Sequence, residues 1–158
     1  MNMQNKINLK IKFREGFRPF APAILAEETH KFFENNNLNS YMLIVSDIRE
    51  ELKENRSLLK NTSGFKKLDV KRSILQAITH VDYSARVQSV NKKQNLKFYK
   101  LIKKFYEKSK IPILINTSFN INNEPIVCTV EDAYKCFLVT DLDYLVCGNY
   151  LLEYIFHT

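Results

Sequence analysis

The chain has 158 residues, 45% of them hydrophobic, with 24 basic against 17 acidic side chains and a formal net charge of +7. That size supports one buried core, while no run reaches the ~18–20 consecutive apolar residues of a membrane span and MNMQNKINLK lacks the apolar heart of a secretory signal. Cys128, Cys136 and Cys147, odd in number and without a CxxC pair, argue against a disulfide framework or a zinc knuckle, so a soluble, cytoplasmic protein with anionic partners is expected.

The first segment, INLKIKFRE, alternates: Ile7, Leu9, Ile11 and Phe13 on one face, Asn8, Lys10, Lys12 and Arg14 on the other. This predicts a half-buried strand with a basic outer face. After FRPFAP, the run AILAEETHKFFENN reads as a helix started near Pro22, and SYMLIV as a short strand. The polar stretch 47–72 reads as a mobile excursion with one helical turn around EELKENRSLLK. Ile74 to Ile78 and Ala85 to Val90 are expected strands flanking the HVDYS turn. Asn95 caps a helix with Phe98, Leu101, Ile102 and Phe105 at helical spacing. IPILIN is a buried strand, and Thr129 with Asp132 opens a helix whose inner stripe is Ala133, Cys136 and Phe137. YLVCG and YLLEYIF are closing strands. The alternation predicts an α/β (α+β) single domain around a mixed sheet.

Three polar clusters carry chemistry. The chain has three glycines and no phosphate-cradling glycine loop, so side-chain cations must hold any phosphate. KFREGFRPFAP supplies Lys12, Arg14 and Arg18, a mixture of point charge and planar fork that suits a triphosphate or an acyl phosphate; an exposed basic strand face is the plain alternative. THVDYSARVQSV crowds Thr79, His80, Asp82, Ser84, Arg86 and Gln88 between apolar runs, and the alternative there is an Asx turn closed by Asp82. His80 is no metal site by itself, since His30 and His157 lie far off in sequence, and no protein-built metal centre is expected. LINTSFNINNEPIV ends a buried strand in Asn116, Thr117, Ser118, Asn120 and Glu124, where hydroxyls and amides can bind a carbonyl or phosphate oxygen. Ser118 has no GxSxG elbow, and Cys128, following a β-branched run, is expected to be buried, so neither reads as a nucleophile.

KIKFREGFRPFAPAIL, THVDYSARVQSV, NTSFNINNEPIV and EDAYKCFLVTDLDYLVCGNYLL, in this order, resemble the C-terminal domain of the nodulation-protein and cephalosporin or tobramycin O-carbamoyltransferase family. The resemblance covers Ile7 to Leu152, with 47–72 a variable insert, and implies that 1–158 is a YrdC-like domain: a twisted mixed sheet with flanking helices and a basic cavity. YrdC-like proteins use a K-x-R and an S-x-N pair, which Lys12 with Arg14 and Ser118 with Asn120 match. Two departures stand where the family writes glycine: Tyr83 in HVDYS and Asn123 before EPIV. The sugar-kinase-like transferase domain that family members place ahead of this one is not found before Met1, so an excised domain or split-gene product is expected.

The resemblance implies binding of ATP with Mg²⁺ and of carbamoyl phosphate, and formation of carbamoyl adenylate. Lys12 and Arg14 would hold the acyl phosphate, Arg18 and Arg86 the polyphosphate, and Ser118, Asn120 and Asn116 the carbamoyl and adenylate oxygens. Thr79, His80 and Thr117 complete the contacts, and Asp82 and Glu124 orient the cations. The partner would be the sugar-kinase-like domain, in cis or in trans. The rival reading is a non-catalytic basic module binding RNA or a larger enzyme, which a steep salt dependence would reveal.

Overall fold

The computed structural model describes residues 2–35 and 37–154; His157 and the end of the expected YLLEYIF strand lie outside them. Helix and sheet are mixed, as the alternating pattern predicts. The described chain separates into two compact units, one built from the segments up to Arg18 and from Ser118 onward, the other from Pro19–Thr117.

In the Pro19–Thr117 unit, β1 (Ala21–Leu25) is the middle of a three-stranded sheet, buried along its whole length. It runs parallel to β4 (Gln88–Val90) and antiparallel to β5 (Ile113–Asn116). The expected helix from Pro22 is therefore corrected to a strand followed by a 3-10 helix, Ala26–Lys31. FAPAIL is apolar on every side, which suits a strand covered on both faces and not an amphipathic helix. Pro22 is tolerated because pairing to β4 begins one residue later, at Ala23. α3 (Leu96–Ser109) covers this sheet, with Asn95 accepting from the Phe98 amide as its cap. Its buried residues are Tyr99 and Ile102, flanked by Phe98 and Tyr106 and packed on Ala23, Leu25 and Val90. Leu101, expected on the inner stripe, is 57% exposed.

Two expected strands are replaced by locally bonded turns. SYMLIV itself, residues 40–45, forms no strand; β2 (Ser46–Asp47) begins just after it and pairs with β3 (Ser84–Ala85). The Asn39 side chain takes the Leu43 amide and donates to the Ile44 carbonyl, groups that a ladder would need. Likewise the Leu75 amide donates to Ser73 Oγ and the Leu75 carbonyl accepts from Thr79 Oγ1, so 74–78 ends as a 3-10 turn. Between these lie α2 (Arg56–Asn61) and a small cluster of Leu59, Val70 and Tyr83.

In the other unit the expected first strand is instead helical: α1 (Met3–Lys6) runs into a π-helical turn, Ile7–Ile11. α4 (Val130–Leu138) carries the predicted capping box of Thr129 and Asp132 and buries Ala133, Cys136 and Phe137. β6 (Tyr144–Cys147) and β7 (Tyr150–Glu153) form a hairpin whose two-residue turn places Gly148 at φ +61°, a first-position glycine that matches the twist of the strands. Leu145 joins Ala133 and Phe137 in this unit's core.

Candidate functional site

The helical N-terminus turns its polar residues inward. Gln4, Asn8 and Lys12 recur every fourth position and are all buried, whereas Leu9 and Phe13, expected inside, are about half exposed. Gln4 Nε2 donates to the Phe17 and Arg18 carbonyls, and Asn8 Nδ2 to those of Gly16 and Arg18. These bonds fold FREGFR back over the helix. Asn8 Oδ1 then accepts from Arg14 Nε at 2.7 Å, so Arg14 is aimed by a residue that the strand reading placed in solvent.

Lys12 enters the turn after Thr117. Its Nζ lies 2.9 Å from the Ser118 carbonyl, 3.2 Å from Ser118 Oγ, 2.6 Å from the Asn120 carbonyl and 2.6 Å from Asn120 Oδ1. Ser118 Oγ donates to Asn120 Oδ1 at 2.6 Å, and Asn120 Nδ2 to the Glu124 carbonyl at 2.8 Å. An ammonium has three N–H groups, so these oxygens satisfy it fully. All are neutral, so its charge persists at the site. Burial lowers the Lys12 pKa, Arg14 lowers it further, and Cys136 opposes both. Arg18 is exposed and pairs with Glu15 at 2.8 Å; Glu124 is exposed and contributes its carbonyl to Asn120. Asn123, at φ +63°, turns the chain between these groups.

In the Pro19–Thr117 unit the THVDYS residues form a network of their own. Ser84 Oγ donates to Asp82 Oδ1 at 2.6 Å, and the Ser84 amide donates to the same oxygen, which is the Asx turn offered as the alternative. With that hydroxyl proton committed, Ser84 Oγ accepts from His80 Nδ1 at 3.0 Å. Burial lowers the His80 pKa, against Asp82, which raises it, while Arg72 and Arg86 lower it further. The Ser84 hydroxyl in turn holds Asp82 below its usual carboxylate range. Thr79 is fully buried, 2.7 Å from Ser73 Oγ. Arg86 and Thr117 are exposed, and Asn116 Nδ2 donates to Gln88 Oε1 at 2.6 Å.

Three contributors escaped the sequence reading. Gln4 and Asn8 were signalled by their four-residue spacing with Lys12. Arg72 had no signal: it is 2% exposed, and its guanidinium donates to the carbonyls of Lys67, Leu68, Val70 and Thr79. Cys128, expected to be buried, is exposed, its thiol 3.3 Å from the Ile126 carbonyl. Among the described residues no three His, Cys, Asp or Glu side chains converge on a point that could hold a metal, and no helix is long and apolar enough to cross a membrane.

Comparison with known proteins bears out the family resemblance. The family model for the carbamoyltransferase C-terminus matches residues 1–154. The uncharacterized protein sll1178 of Synechocystis is 50% identical over 155 residues, 95% of this chain and 25% of its own length. Nodulation protein NolO of Bradyrhizobium diazoefficiens is 40% identical over 153 residues, 95% of this chain and 24% of its own length. A 3'-hydroxymethylcephem-O-carbamoyltransferase of Amycolatopsis lactamdurans is 33% identical over 123 residues, 78% of this chain and 20% of its own length. The chain thus spans about a quarter or less of these relatives. By the extent of that match, it belongs to the carbamoyltransferase C-terminus family.

Proposed function

We propose that this chain binds ATP and carbamoyl phosphate and forms carbamoyl adenylate, for transfer to an acceptor hydroxyl by a sugar-kinase-like domain in cis or in trans. In the first step water displaces phosphate from carbamoyl phosphate, leaving carbamate and inorganic phosphate. A carbamate oxygen then attacks the α-phosphorus of ATP, and pyrophosphate leaves. Such chemistry depends on positioned charge more than on a covalent nucleophile.

One observation carries the reading: a buried lysine whose ammonium is met by neutral oxygens of an S-x-N turn. Two of those oxygens, Ser118 Oγ and Asn120 Oδ1, belong to side chains, so an incoming phosphate or carbamoyl oxygen can replace them while the carbonyls stay. The retained positive charge then stabilises the anion that forms. Arg14, braced by Asn8, adds a second cation, and Arg18 on the same segment meets the polyphosphate. His80, Asp82, Arg86, Asn116 and Thr117 remain proposed nucleotide contacts; Thr79, fully buried with its hydroxyl bonded to Ser73 Oγ and to the Leu75 carbonyl, supports that turn from inside instead. Magnesium would be held by triphosphate oxygens, where it would neutralise charge on the leaving pyrophosphate.

Calorimetry with carbamoyl phosphate and with ATP·Mg²⁺ tests the assignment. Binding should weaken about ten-fold or more in Arg14→Ala, as expected for a lost charge-assisted hydrogen bond of about 1.5–3 kcal/mol. Equal affinity in variant and parent at fixed salt would return Arg14 to a solvated or structural role.

A further inference from the structure

A second cavity, in the Pro19–Thr117 unit, takes no part in carbamoyl transfer as proposed above. It measures about 400 Å³ and has Arg56, Lys60, Lys67 and Ser57 around a floor of Leu59, Val81 and the Tyr83 ring. No carboxylate lines it. Two further cations lie close by, withdrawn from water. The Lys53 side chain is 8% exposed with its amine 5.8 Å from the Tyr83 ring centroid, and Arg72 is held by carbonyls alone. Glu50 pairs with both Lys53 and Arg56, while the described residues bring no carboxylate into ion-pair contact with Lys60, Lys67 or Arg72. The local field is therefore positive.

Tyr83 makes the floor at a cost. Its φ of +66° lies in the left-handed region, which costs a residue with a β-carbon about 1–2 kcal/mol. It is kept there by a 2.7 Å hydrogen bond from its hydroxyl to the Glu54 carbonyl and by packing on Leu59 and Val70. A glycine would hold the same backbone without strain but would leave the cavity without this wall.

We propose that this cavity binds a small organic phosphate monoester with an aromatic or apolar body. Arg56, Lys60 and Lys67 surround its dianionic phosphate, Ser57 donates a hydrogen bond to it, and the body rests on Leu59, Val81 and the Tyr83 ring. Lys60 and Lys67, in no ion pair with a described carboxylate, match a dianion, with Arg56 beside them keeping its Glu50 pair; a lone carboxylate would leave one lysine charge unmatched.

Phenyl phosphate is the probe, titrated into the whole chain and followed by amide NMR, beside inorganic phosphate and phenol. Phenyl phosphate should give saturable shifts at Arg56, Lys60, Val81 and Tyr83, with an affinity about ten-fold or more above either fragment. The double variant Lys60→Glu, Lys67→Glu, at one exposed and one half-buried position, should lose at least about ten-fold in affinity with its spectrum otherwise unchanged. Lys60→Ala alone should lose part of it, and Lys12→Met none, which separates this cavity from the carbamoyl site. Absence of saturable shifts at these residues up to about 10 mM probe, a range that covers even weak binding, would overturn the proposal, as would equal binding by the charge-reversed chain.

Discussion

Lys12 Nζ lies 2.6 Å from Asn120 Oδ1 although 108 residues of chain separate them. The ammonium is thus both a structural pin for the S-x-N turn and a store of positive charge. Removing it leaves the Ser118 and Asn120 carbonyls without their donor. Lys12→Met should therefore destabilise the chain by about 1–3 kcal/mol in denaturant unfolding. A double-mutant cycle with Asn120→Ala should show coupling of about 1 kcal/mol or more. Additive effects would mean that the contact carries no energy.

Asn8 is fully buried and uses both ends of its amide, donating to Gly16 and Arg18 and accepting from Arg14. Asn8→Ala should cost about 1–3 kcal/mol of stability, since the Gly16 carbonyl loses its donor and the Arg18 carbonyl keeps only that of Gln4. It should also weaken phosphate binding, because Arg14 loses its brace. Asn8→Asp, which keeps the acceptor for Arg14 but not the donors, separates the two effects: affinity should recover more than stability does.

Segments whose hydrophobic pattern is regular could be read directly. The α3 cap at Asn95, the capping box of α4 and its Ala133, Cys136, Phe137 stripe, the continuous run of β5 and the β6 strand all appear where the pattern puts them. The N-terminus departs from its apolar pattern for a physical reason. Alternation of Ile7, Leu9 and Ile11 mimics a strand, but the buried groups are polar, and Gln4, Asn8 and Lys12 repeat with helical spacing. A search for buried apolar residues misses a face held together by hydrogen bonds. In SYMLIV and 74–78, side-chain oxygens and amides captured the backbone first, which strand propensity does not register. Of the candidate site, the pairing of Lys12 with Ser118 and Asn120 was legible from matched motifs, whereas Arg72 was not, because its partners are carbonyls.

His80 offers a test by pH. Its folded pKa is lowered from 6.5 chiefly by burial, so the folded chain prefers the neutral ring. The stability this contributes is complete above the unfolded pKa and is lost as pH falls through the folded one. An NMR titration should place the His80 midpoint below 6.5, and His80→Gln should flatten the fall in stability on the acid side of that value. A midpoint above it would mean that Asp82 dominates.

Asn123 holds the turn before Glu124 at φ +63°. Asparagine tolerates this conformation better than other residues that carry a β-carbon. Asn123→Gly should leave stability unchanged or raise it by up to about 1 kcal/mol, whereas Asn123→Val should lower it by about 1–2 kcal/mol. Thermal unfolding of the pair decides it; similar midpoints would place the strain elsewhere.

Pyrophosphate release by the isolated chain, given ATP, magnesium and carbamoyl phosphate, tests the proposed function most directly. The account predicts slow release that requires carbamoyl phosphate, falls at least about 100-fold in Lys12→Met, as loss of a transition-state cation implies, and carbamoylates no sugar hydroxyl unless a sugar-kinase-like domain is added. Release that persists without carbamoyl phosphate, or at an undiminished rate in Lys12→Met, would contradict it.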